Sequence, residues 1–171
     1  MFYTDKRSIE SVAVMSNNNE YRYRLTRTWD SNKEIVAVVM LNPSKANSLK
    51  TDDTIMNLTN YLIDNNYGGV DIVNMYAYMA TNPSELQHRD QGYEDYNDSY
   101  ITEAAAKRDV LIVAWGSDIK KYVKRKREVE TLLVPYAHKI KCLEDLQGRS
   151  PRHPLLLTTG WKLVSYSFRY I

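Results

Sequence analysis

Three apolar, β-branched runs constrain this chain more than anything else in it: EIVAVVML at 34–41, VDIVNMY at 70–76 and VLIVAW at 110–115. A strand with one wet face alternates polar and apolar residues, so near-continuous runs point to strands buried on both faces of a parallel sheet. The segments between them have helical spacing. Asp52 is placed to cap a helix carrying Ile55, Leu58, Thr59 and Leu62, which stops near Asn65-Asn66 ahead of Gly68-Gly69. A second helix is expected from about Asn97 to Arg108. A third, capped by Ser117, would carry Ile119, Tyr122 and Val123 on one face. Buried strands alternating with amphipathic helices predict a three-layer α/β/α domain around a mostly parallel sheet, with the three runs as neighbouring parallel strands.

The periphery reads differently. Residues 11–15 and 21–28 look like two strands joined by the turn Ser16-Asn17-Asn18-Asn19. In the second, Tyr21, Tyr23 and Leu25 alternate with Arg22, Arg24 and Thr26, which predicts one solvated face. A short fourth buried strand is expected at 139–143, a loop at 148–154 and a last strand at 162–168. No repeat, linker or low-complexity tract divides the chain, so residues 1–171 are expected to form one domain, with 1–30 as an N-terminal extension and 34–157 as the core.

Composition excludes several classes. The net charge of +2 is too close to neutral to imply polyanion binding by itself. No apolar run approaches the roughly 18 residues of a membrane span, and the first ten residues do not read as a secretory signal. Cys142 is the single cysteine and lies in an apolar stretch, so no internal disulfide forms and a reducing, cytoplasmic setting is expected. One Cys and three scattered His give no metal-ligand spacing, and no cofactor is expected. Tyrosine is abundant, 14 against 2 Phe, which suits half-buried core edges and also stacking on bases.

Ligands of open α/β sheets bind outside the carboxyl ends of the strands. That rule gathers Asn42-Pro43-Ser44, Asn74, Trp115-Gly116 and the loop around Arg149, Arg152 and His153. Asn42 is either a turn-former or a group that holds a water or polar ligand. Asn74 interrupts an apolar strand, and a buried amide without partners costs roughly 1–3 kcal/mol, so a backbone group, a water or a ligand edge must meet it. Trp115-Gly116 is a plain strand-to-helix turn or a place of close backbone approach. His153 stands before Pro154 and two residues after Pro151 in a stiff, basic loop; a neutral His there can donate to developing negative charge, and Arg149 and Arg152 can hold a phosphate. The run Lys120, Lys121, Lys124, Arg125, Lys126 and Arg127 is either a solvated helix face or a contact for a nucleic-acid backbone, with acids such as Glu94, Asp95 and Asp98 expected elsewhere. Asp52 and Asp53 are explained by helix capping.

The order of the pieces Met40-Leu41-Asn42-Pro43-Ser44, Thr51-Asp52-Asp53-Thr54-Ile55, Val73-Asn74-Met75-Tyr76-Ala77-Tyr78, Ala114-Trp115-Gly116 and Pro151-Arg152-His153-Pro154-Leu155 resembles a bacterial and phage family known as domain of unknown function 1643. The likeness runs from about Tyr21 to Leu157. The same pieces are more distantly similar to the uracil-DNA glycosylase superfamily, which implies a uracil-DNA glycosylase-like fold. In that likeness Asn42 would place the attacking water, Asn74 would read the base and His153 would stabilise the departing base. Tyr76 or Tyr78 would stand where a base-stacking ring is needed. The chain departs from that pattern in lacking the acid of the first signature and in having Leu155-Leu156 after His153-Pro154. The expectation is an N-glycosidic hydrolase acting on a modified or deaminated base in DNA or a nucleotide; the alternative is a non-catalytic pocket for a nucleotide or modified base, active in phage–host conflict.

Overall fold

The computed structural model describes residues 1–118 and 120–171. Among them the strands are β1 (Glu10–Met15), β2 (Arg22–Thr28), β3 (Ile35–Met40), β4 (Gly69–Asn74), β5 (Leu111–Val113), β6 (Ile140–Glu144) and β7 (Lys162–Ser165). They form one sheet in the order β1-β2-β4-β3-β5-β6-β7. The three apolar runs are neighbouring parallel strands: β3 lies between β4 and β5, with Val36 beside Val70 and Val38 beside Ile112. β6 adds a fourth parallel strand. The flanks are antiparallel, β1 and β2 on one side and β7 on the other. The sheet is thus parallel at its centre and antiparallel at both edges, half of its pairings being of each kind.

Each face of the centre carries its own core. Val36, Val38 and Met40 of β3 pack with Ile55, Leu58 and Leu62 of helix α1 (Asp53–Asp64). Ala37 and Val39 point the other way, toward Ile101, Ala104 and Ala105 of α3 (Asn97–Lys107) and Val129 and Leu133 of α4 (Val123–Leu133). The alternation of a strand between two apolar cores is why these runs contain so few polar residues. Asp52 caps α1 as expected, its side chain accepting from the Ile55 N–H. The stretch between β4 and α3 is more ordered than a long loop: it holds a 3-10 turn, Pro83–His88, and the short helix α2 (Gln91–Glu94).

Two expectations are corrected. The solvated face of β2 does not exist as such. Arg22 is buried, and Arg24 is held by Asp71. Val14 pairs with Arg24 but Met15 pairs with Arg22, so two steps of β2 stand against one of β1. That bulge breaks the period-2 pattern. The helix expected to begin at Ser117 begins instead at Val123, after Tyr122 in the left-handed region (φ 56°). Ser117 is not a cap: its Oγ accepts from Arg152 Nη1 (3.1 Å) instead of from a helical N–H. Ile119 lies outside the described residues.

Candidate functional site

β3 leads into α1 on one face, whereas β5 leads into α4 on the other. The two connections diverge between adjacent strands, and a crevice opens there at the carboxyl ends. The crevice is a cavity of about 550 Å³ lined by residues after β3 (Leu41, Asn42, Ser44, Lys45), the start of α1 (Asp52, Asp53, Thr54, Ile55), Trp115 after β5, and His153. Its size falls within the roughly 300–1,000 Å³ of small-molecule sites.

Asn42 is locked. Its Nδ2 donates to the Pro43 carbonyl (3.0 Å) and to the Ala80 carbonyl (2.7 Å). Both partners are pure acceptors, so the amide orientation is determined and its two donor hydrogens are used. The Oδ1 acceptor has no partner among the described residues. His153 is fixed in a complementary way. Its Nδ1 accepts from the Leu155 N–H (3.2 Å), which leaves the ring proton on Nε2. Burial pushes its pKa down to about 4, against a weaker upward pull from Asp52, so at neutral pH the ring is an uncharged donor. Gly116, with φ 95°, brings the turn after β5 beside it: a Cβ on Gly116 would lie 3.9 Å from the His153 Cβ. The space would admit an alanine, but the left-handed backbone favours glycine.

Ser44 donates through Oγ to Asp52 Oδ2 (2.6 Å), while Asp52 Oδ1 holds the Ile55 N–H (2.9 Å). The cavity also contains Arg22, which the pattern of β2 had assigned to solvent. It is 1% exposed, and its Nη1 donates to the Ala46 carbonyl. Burial lowers its pKa to about 10, which still leaves it positive at neutral pH. Lys45 stands exposed at the rim. No sequence signal separates Arg22 from its neighbours, because the bulge that turns it inward is a property of strand pairing.

Asn42, Ser44, Trp115 and His153 therefore share one cavity. Asn74 is the last residue of β4, beside Met40 in register, and is fully buried with neither amide atom partnered. It does not line the cavity wall, whereas Met40 does. Pro43 is buried and supplies its carbonyl to Asn42 and to the Ala80 N–H. Gly116 lines an adjoining cavity that shares Leu41, Pro83 and Trp115 with the first. The loop arginines lie elsewhere. Arg149 Nε is 2.8 Å and Arg152 Nε 3.1 Å from the same Asp145 oxygen, and Arg152 also reaches Ser117 Oγ (3.1 Å). Tyr76 lies in a separate cavity, with Arg89 over its ring at 4.7 Å. Tyr78 packs on Tyr21, which stacks on Tyr93 at 4.7 Å. These tyrosines are core-edge residues.

Cys142 is buried and its thiol is pushed up by burial. Among the described residues no group of three or more His, Cys, Asp or Glu is placed to hold a metal ion, and no helix is long and apolar enough to cross a membrane.

Residues 22–155 match the family described as Protein of unknown function (DUF1643). The chain belongs to that family. The match begins at Arg22 and ends at Leu155, so it spans every cavity-lining residue named above. No curated protein and no solved structure matches the chain.

Proposed function

We propose that the cavity binds a modified or deaminated base and that the protein hydrolyses the N-glycosidic bond holding it, on a scaffold related to the uracil-DNA glycosylases. The observation that carries this reading is the pairing of a fixed acceptor with a fixed neutral donor in one cavity: Asn42 Oδ1, with its amide hydrogens committed elsewhere, and His153 Nε2–H, with its tautomer set by Leu155. Asn42 Oδ1 accepts a hydrogen from a water and aims its oxygen at C1′ of the sugar. The C1′–N bond breaks with its electron pair passing to the base, and His153 donates to the negative charge that develops there. The water's proton passes to the departed base or to solvent. Trp115, which lines the same cavity, supplies an apolar wall.

The test is release of free base, followed by mass spectrometry, from a panel of base-modified oligonucleotides and mononucleotides. Release by the wild-type chain should fall by about 10²–10³ in Asn42→Ala and in His153→Ala, the usual loss for one positioned polar group. A second reading rests on Asp52. Both of its oxygens are committed, to Ser44 and to the Ile55 N–H, so it is not a free general base. A pocket that binds a nucleotide without cleaving it fits that observation. Tight binding with no release from any member of the panel would establish the second reading and remove the first.

A further inference from the structure

We propose that Arg22, Lys45 and the first turn of α1 form a receptor for the phosphate of a free nucleoside 5′-monophosphate, so that the ligand of the cavity is a mononucleotide and not a base within a strand. This rests on the reading of the cavity as a base pocket.

Arg22 is the principal observation. It lines the cavity, is 1% exposed, and has its Nε buried without a partner. Among the described residues no carboxylate lies within ion-pair distance of it. A buried charge left without a counter-ion is expensive, and natural chains retain one where a ligand or partner neutralises it. Asp52 acts on Arg22 through space, but its oxygens already serve Ser44 and Ile55.

The second observation is independent. α1 is a helix of 12 residues whose first turn, Asp53, Thr54 and Ile55, lines the same cavity. The Ile55 N–H is taken by Asp52 Oδ1 and the Met56 N–H by the Asp52 carbonyl. The N–H groups of Asp53 and Thr54 have no partner among the described residues. Free N–H groups at the positive end of a helix bind anions, and a buried guanidinium beside them adds the charge. Lys45 contributes a second cation at the rim. The carboxylates of Asp52 and of the exposed Asp53, both on the cavity wall, oppose the anion and set how tightly it is held.

A monoester carries about two negative charges and three acceptor oxygens, which match two cations and two N–H groups. A phosphodiester carries one charge and must continue into flanking nucleotides. The arginines that a strand would need next to His153 are both committed to Asp145.

Calorimetry on the full chain separates the outcomes. The probes are inorganic phosphate and deoxynucleoside 5′-monophosphates with normal, deaminated or methylated bases, each beside its own nucleoside. At least one monophosphate should bind tenfold or more tightly than its nucleoside. Arg22→Gln should remove that difference, Lys45→Ala should reduce it, and Asp53→Asn should enlarge it. Lys45 and Asp53 are exposed, so these two variants test the site even if Arg22→Gln fails to fold. Equal binding of nucleoside and monophosphate, or a preference unmoved by the Lys45 and Asp53 variants, overturns the phosphate receptor and leaves the base pocket standing. Binding of phosphate with no gain from any attached nucleoside supports the receptor and removes the base pocket. Binding of none of the probes overturns both.

Discussion

His153 couples the cavity to pH through its own titration. An unfolded histidine titrates near 6.5, whereas burial holds this ring near 4 in the fold. Between those values the unfolded chain binds a proton that the folded chain refuses, so stability falls as pH drops from about 6.5 to 4 and is unaffected above that window. The contribution over the whole window is roughly 3 kcal/mol, and for a domain of this length each kcal/mol moves the melting temperature by roughly 2–4 °C. Thermal melts at pH 7.5 and pH 4.5 should show a larger drop for the wild type than for His153→Gln, which keeps polar capacity but has no proton to gain. Equal drops would mean that the imidazole is solvated in the fold. The same physics bears on the site: a ring that resists protonation remains an Nε2–H donor well below neutrality.

At the scale of elements, β4 holds the ion cluster that ties the edge of the sheet to its centre. Asp71 is fully buried in that strand. Arg24 of β2 grips both of its oxygens, at 2.7 and 2.5 Å, and Arg108, after α3, reaches one at 3.0 Å. Burial pushes the carboxyl up, but the two guanidiniums outweigh it and hold it below the usual carboxylate range. Asp71→Ala would leave two partly buried cations without their shared anion, a loss of roughly 3 kcal/mol that urea unfolding should register. A loss below about 1 kcal/mol would show that both arginines relax into solvent. The sequence discloses such elements unevenly. The three buried strands and α1 are legible because each carries a long apolar pattern with a cap or glycines at its end. The antiparallel edges defeat the sheet-wide reading, since 10–15 and 162–165 carry only a few residues each of a pattern that suits either orientation. Within the site, Asn42, Trp115 and His153 are legible from their position after strands. Arg22 is not, because its inward turn comes with the bulge in β2 opposite Val14 and Met15. Arg149 and Arg152 have the composition of a phosphate loop, and only the fold reveals that Asp145 neutralises both.

At the scale of the whole molecule, the distribution of charge decides between a polymer and a small ligand. The basic run at 120–127 does not form one face. Lys126 is buried with its Nζ on the Asp118 carbonyl, and Arg125 is held by Asp98 and Glu128. Glu94, Asp95 and Asp98, expected well away from the basic run, instead share with Lys124 and Arg125 a polar cavity of about 430 Å³. From that run Lys120, Lys121, Lys124 and Arg127 are exposed, and Arg127 Nε already donates to the Tyr170 carbonyl. Each phosphate neutralised on duplex DNA contributes about −0.9 to the slope of log K against log salt, and strong binders make about 6–10 such contacts. The four exposed cations of that run supply by themselves a slope no steeper than about −4. Fluorescence anisotropy with labelled duplex and single-stranded DNA should therefore show weak binding that vanishes near physiological salt. Arg152→Ala should leave the slope unchanged, because that guanidinium already faces Asp145. A steep slope that Arg152→Ala flattens by about one unit would mean that the loop opens and trades Asp145 for phosphate. The polymer would then return as the substrate.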